Sequence, residues 1–186
     1  MRYDYPHTIE NGGGESLTFL RRTTDDRGEL LEVENVVKPG SGPPMHVHHR
    51  QEESLTVVSG TLGWERADGS KGTAGPGESM VFEPGDAHRF WNAGDDELRC
   101  KGYIRPPDNI EYFLAGVYDS IKRHGGKRPG AIDIAFLESR YRPEFETKII
   151  PTPVKRVLFP ILIAIGRVTG KLERYADAPE PIPRGS

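Results

Sequence analysis

Residues 15 to 105 are broken at short intervals by turn signals, and this punctuation does more than any other feature to limit the folds open to the chain. The stretches "PGSGPP", "SG", "ADGS", "GPG", "EPGD" and "NAGDD" separate eight short segments, at about 15–22, 29–37, 44–48, 53–58, 61–66, 79–83, 88–92 and 97–105. A strand sends successive side chains to opposite faces, so such segments bury one face and leave the other free. Eight of them in succession predict a barrel or a sandwich. The 22 glycines and 16 prolines of the 186-residue chain fit many turns between short strands.

The pattern changes after Pro106 and Pro107. Asp108 and Glu111 have the spacing of a capping box, and Ile110, Phe113, Leu114, Val117 and Ile121 follow at helical spacing until Gly125 and Gly126. A weaker helical stretch covers about 131–140. A third helix is expected from Thr152 as N-cap and Pro153 in the first turn, with Val154, Val157, Leu158, Ile161, Ile165, Val168 and Leu172 on one stripe and Pro160 bending or breaking it. That stripe is expected to pack on the rest of the chain or on a sister subunit; the cations beside it also fit an interfacial membrane helix. The expected organisation is a β domain over residues 1–106 and a helical extension over 107–186.

Charge and cysteine content exclude several functions. Lys and Arg against Asp and Glu count 12 to 21 in residues 1–120 and 13 to 7 in residues 121–186. The cations of the second part are scattered singly, and no nucleic-acid-binding motif accompanies them, so no nucleic-acid partner is expected. Cys100 is the only cysteine, which excludes an internal disulfide and leaves it as a filler in a strand. No apolar stretch at the start reads as a secretion signal, which makes the cytoplasm the expected location. The run from Val157 to Gly166 is interrupted by Pro160 and falls short of the ~18 to 20 residues a bilayer requires, so no membrane span is expected.

The chemistry is concentrated in "PPMHVHHRQEESLTVVSG". His46 and His48 are two apart in a strand and aim their imidazoles the same way. The chain can then turn back and bring a carboxylate to the same place, with Glu53 sharing a face with Leu55 and Val57. Downstream, "GESMVFEPGDAHRFWN" opens a second strand with His88, on the face of Phe90 and Asn92. Three imidazoles and a carboxylate form a set for one divalent transition metal (Fe, Mn, Ni, Zn or Cu), with up to two octahedral positions left for other ligands. Glu52 reads as a solvated turn residue or a hydrogen-bond partner of the site, His49 as exposed, and Gln51 as a ligand contact or a plain turn residue.

These residues resemble the cupin superfamily. Gly40, His46, His48, Glu53 and Gly60 match every position of its first motif; Gly77, Gly85, His88 and Asn92 match its second, where Glu83 replaces the usual first proline. The resemblance covers about residues 30–105 and implies a double-stranded β-helix, a jelly-roll-like barrel, with the C-terminal helices outside it. It implies His46, His48, Glu53 and His88 as metal ligands, Glu53 as a proton shuttle of the kind some cupin dioxygenases use, and a homodimer. Leu55, Val57, Trp64, Phe82 and Phe90 alternate into the interior and would line a space for a small apolar or aromatic ligand, although such residues are also ordinary core. A dioxygenase-type oxidoreductase is the expectation that follows, with a metal-dependent isomerase of a sugar or keto acid, or a non-catalytic small-molecule-binding protein, as alternatives.

Overall fold

A computed structural model describes residues 3–185. Eleven strands form two antiparallel sheets among these residues, and three helices follow the main run of strands. The first sheet has the order β1 (His7–Glu10), β2 (Glu15–Asp25), β3 (Gly28–Val37), β10 (Leu98–Arg105), β5 (Glu52–Ser59), β8 (Ser79–Phe82). The second runs β11 (Phe145–Thr147), β4 (His46–His48), β9 (Ala87–Asn92), β6 (Leu62–Arg66), β7 (Lys71–Ala74). From β3 onward the chain crosses between the sheets at every step except β6 to β7, as one chain does when it winds a double-stranded roll. The pairing leaves two sheets with free edges rather than one closed barrel.

The eight expected strands all form, with ends moved by a few residues. Three further strands, β1, β7 and β11, are three or four residues long, too short for a period of two to register. The ten-residue β3 alternates strictly along its second half and buries Leu31, Val33, Asn35 and Val37.

Two clusters form the core. Leu55, Val57, Leu62, Phe82, Phe90, Leu98 and Cys100 fill one end of the sandwich, with Trp64 packed against them. Cys100 is therefore the filler expected, and burial pushes its thiol up to about 11. The second cluster joins Leu17, Phe19, Leu31, Val33 and Ile104 of the six-stranded sheet to Ile110, Phe113, Tyr118, Leu137, Tyr141 and Phe145. Helices α1 (Ile110–Arg123) and α2 (Ala131–Arg140) thus lie over the first sheet and complete its core.

Three helix-end expectations are corrected. Asp108 does not cap α1: the N-cap is Asn109, and the Asp108 carboxylate accepts from Arg50 Nε (2.8 Å) and Gln51 Nε2 (3.0 Å). Glu111, the other half of the expected box, is drawn instead to Tyr5 and Arg22. A long-range charge partner outweighs a local cap, since charge-assisted bonds are the stronger kind. Thr152 is the first residue of α3 (Thr152–Val168) rather than its cap, which is Pro151, and the helix continues through Pro160.

The orientation of α3 is the larger departure. It packs on α2 through Lys155, Phe159 and Gly166, where a Cβ on Gly166 would lie 2.6 Å from Ile132. Of the stripe expected to be covered, Val154, Val157, Leu158, Ile161, Ile165 and Val168 are all exposed; only Leu172 packs against the core. No helix among the described residues is long and apolar enough to cross a membrane.

Candidate metal centre

The pairing of β4 with β9 sets His46 directly beside His88. His48, two residues on, shares their face. These three imidazoles belong to one sheet. Glu53 comes from the other, on β5, where it pairs with Phe82 of β8 and faces inward. The chain must reverse between His48 and Glu53, and again before His88. At the second reversal Gly85 takes φ +92°, a left-handed conformation that any side chain would strain, and its N–H donates to the His48 carbonyl at 2.7 Å. Gly60 closes the turn after β5 with φ +86°, and a Cβ there would come within 2.9 Å of the Leu98 backbone.

One ligand atom from each of His46, His48, Glu53 and His88 lies within 4.8 Å of all the others. Glu53 Oε2 is the hub, 3.9 Å from Nε2 of His46, 3.4 Å from that of His48 and 3.1 Å from that of His88. His88 is 1% exposed and Glu53 8%. Nδ1 of His46 contacts the Pro44 carbonyl at 2.8 Å and Nδ1 of His88 the Asp86 carbonyl at 2.9 Å. A carbonyl only accepts, so both rings donate from Nδ1 and direct Nε2 inward at Glu53, the ring atom whose lone pair a bound metal would take in place of that contact.

The electrostatics of the other two groups favour cation binding. Burial pushes the His48 imidazole down to about 3, against the smaller opposing pull of Glu53. For Glu53 burial works the other way, but hydrogen bonds with His46 and His88 and the nearby His48 overcome it and hold the carboxyl well below its ordinary value. Neutral imidazole and ionised carboxylate are the forms that bind a cation, and they coexist here without one proton to be displaced at His48 or Glu53. The donor set therefore fits a divalent transition metal.

The centre lies where the two core clusters meet. Phe82, of the first cluster, stacks on His88 with centroids 3.8 Å apart and planes 1° from parallel. Phe145, of the second, sets its edge to His48 at 5.6 Å and stacks on Phe113 of α1 at 4.9 Å. Phe145 has no counterpart in the sequence reading, because β11 carries it in a strand of three residues. That strand hydrogen-bonds to β4, with Phe145 opposite His48 and Thr147 opposite His46. The chain beyond residue 106 thus supplies the neighbour of the strand that bears two of the imidazoles.

Leu55, Val57, Phe82 and Phe90 are buried in the first core cluster, and Trp64 is half-buried against it. Of the five, Phe82 is the one whose ring meets a candidate ligand. Two flanking residues depart from expectation. Glu52 is buried, not solvated: it accepts from Arg27 (2.8 Å) and Tyr103 (2.7 Å) on the face opposite Glu53. His49 is half-buried beside Glu146 at 3.7 Å, and burial, with Arg184 next in weight, pushes its imidazole down to about 4. Gln51 is fully buried and holds Asp108.

The sequence profile of a family described as a cupin domain matches residues 33–101, the span that contains all four residues of the cluster. No curated protein matches the chain in sequence. Among solved structures it is similar to an uncharacterized conserved protein with a double-stranded β-helix domain from Klebsiella pneumoniae, at 21% identity over 57% of this chain and 83% of that one, with a TM-score of 0.43. A sugar phosphate isomerase from a cupin superfamily of Silicibacter pomeroyi is 19% identical over 57% of this chain and 77% of that one, at a TM-score of 0.45. KdgF from Halomonas sp. is 23% identical over 52% and 84%, also at 0.45. Both histidine motifs lie on adjacent strands of a two-sheet roll, and the residues that carry them, 33–101, match the cupin-domain family.

Proposed function

We propose that the protein binds one divalent transition metal through His46, His48, Glu53 and His88 and carries out a dioxygenase-type oxidation of a small apolar or aromatic molecule. The observation that carries this reading is the composition of the centre. Three imidazoles and one carboxylate converge, with His48 held neutral and Glu53 ionised, and aromatic carbon rather than charged groups packs against the imidazoles of His88 and His48. A bound iron, manganese, nickel, copper or zinc would supply Lewis acidity and, for all but zinc, one-electron chemistry.

The chain's own residues have distinct tasks. His46, His48 and His88 orient donors, two of them through carbonyls that lock the ring. Glu53 is the acid–base group: its Oε2 lies 3.1 Å from His88 Nε2, and it is the one carboxylate of the cluster. Phe82 and Phe145 exclude water from two sides of the imidazole cluster, which strengthens electrostatic interactions within it. His46, the least buried of the four, marks the side from which a small molecule reaches the centre.

Oxygen uptake with a panel of small aromatic substrates, using protein loaded separately with each metal, tests the reading. Substrate-dependent uptake lost in Glu53→Gln is the expected result. Turnover that proceeds unchanged without oxygen would replace it with the isomerase reading, and saturable binding without turnover would leave a small-molecule-binding protein.

A further inference from the structure

The outward face of α3 is apolar along its whole length. Val154, Val157, Leu158, Ile161, Ile165 and Val168 recur at helical spacing and are exposed, Val157 at 68% and Val168 at 88%. The inward face packs on α2 through Lys155, Phe159 and Gly166, so the helix has one covered face and, opposite it, an apolar face that the described residues leave uncovered. Ile149, at 64%, extends the exposed patch beyond the helix start.

The charges around the patch have one sign. Helix α3 contains Lys155, Arg156 and Arg167 and no acidic residue. Lys155 is turned inward, held by Glu138 Oε2 at 2.6 Å and the Thr147 carbonyl at 2.5 Å. Arg156 and Arg167 are eleven residues apart, three turns, and so share one edge of the apolar face; both are exposed, and neither forms an ion pair within the described residues. On the Arg156 edge lies a cleft of about 260 Å³, lined by Arg142, Lys155, Arg156, Glu138, Phe159 and Pro160 among others. The two carboxylates that line it, Glu138 and Glu146, are already paired with Lys155 and Lys148. The cleft therefore offers two guanidinium groups beside an apolar wall.

A second copy of the chain is a poor occupant. A two-fold antiparallel pairing of α3 centred on Ile161 and Leu162 sets Arg156 opposite Arg167 of the other copy on each edge, and a parallel pairing also gathers cations alone. Like charges along a seam oppose association. An apolar layer with anionic groups at its boundary complements both features: side chains enter the acyl region while arginines remain at the headgroups.

We propose that α3 is a membrane-surface docking element that lays its outward face on bilayers containing anionic phospholipid, with Arg156, Arg167 and the adjoining cleft receiving the headgroups. This interaction is independent of the metal centre. It is tested by co-sedimenting the full chain with phosphatidylcholine vesicles and with phosphatidylcholine–phosphatidylglycerol vesicles, alongside analytical ultracentrifugation of the protein alone. The wild type should partition to the anionic vesicles and be released by salt. Ile161→Glu, at an exposed position that leaves the fold intact by circular dichroism, should abolish binding. Arg156→Gln with Arg167→Gln should weaken it by roughly 25-fold, at about fivefold per cation near an anionic surface. Absence of vesicle binding, or equal binding to both vesicle types, would overturn the proposal. A dimer that Ile161→Glu splits into monomers, without vesicle binding, would assign the face to a second copy instead.

Discussion

The sandwich interior and the outer face of α3 break the same rule in opposite directions. Between the sheets, a carboxylate and two imidazoles are buried, with a third half-buried, where apolar side chains would be expected. On α3, six large aliphatic side chains stand in solvent where polar ones would be expected. Each placement is unfavourable in the isolated chain: a buried ion needs a compensating charge, and exposed aliphatic surface needs a cover. In the first case the compensation is already arranged in position, tautomer and charge. In the second it must come from outside the chain. The comparison separates a site built for something small from a surface suited to something large.

The contrast is broken most forcefully by substitution. Phe82→Ala removes a fully buried ring that both fills the first cluster and stacks on His88, and should cost about 3–5 kcal/mol in urea unfolding. A loss below ~1 kcal/mol would show that this end of the sandwich is not close-packed. Lys155→Ala, at the inward face of α3, leaves the Glu138 carboxylate buried without its cation and should cost roughly 3–5 kcal/mol, as should Lys155→Met, whereas Lys155→Met combined with Glu138→Leu should cost far less. A double variant as destabilised as the two single substitutions added together would mean that charge pairing does not hold α3 to α2.

Metal removal sharpens the comparison next. With free metal a thousandfold above its dissociation constant, binding stabilises by about 4 kcal/mol. Chelation should then lower the melting temperature by roughly 8–16 °C for a chain of this size. His88→Ala should abolish that metal-dependent difference, and persistence of the difference would place the binding elsewhere.

The pH dependence of the metal-free protein has a defined sign. His48 is held at about 3 when folded and titrates near 6.5 when unfolded, so the unfolded chain binds more protons between these values. Stability is fully present above pH ~6.5 and falls as the pH drops towards 3, and His49, held at about 4, adds in the same direction. Urea midpoints that are flat from pH 7 to pH 4 would contradict a neutral buried His48. At the other end of the scale, Ile161→Glu should change stability by no more than ~0.5 kcal/mol, because its side chain contributes little to the fold of the isolated chain.

The site was largely legible in the sequence because its spacing is dictated by local geometry. His46 and His48 share a strand face by the period of two, and Glu53 rather than Glu52 has the motif's six residues between it and Gly60; the structure turns Glu53 inward and Glu52 outward. Phe145 was not legible, because its strand is three residues long and its partner β4 lies almost a hundred residues earlier. The cap expected at Asp108 failed for a similar reason. Short-range spacing favours a box, but Arg50 and Gln51 compete for that carboxylate, and no local pattern reports their approach. The α3 stripe was read correctly as a stripe. Its periodicity says which residues share a face and nothing about whether that face meets the chain's own core.

The central claim is that four side chains from two facing sheets hold one cation. Elemental analysis of protein purified without a histidine tag or chelator tests it most directly. About one equivalent of a divalent transition metal should accompany each wild-type chain, and the His46→Ala, His48→Ala double variant should retain almost none. A folded double variant that keeps its metal, or a wild type that takes up none when a divalent ion is supplied, would contradict the account.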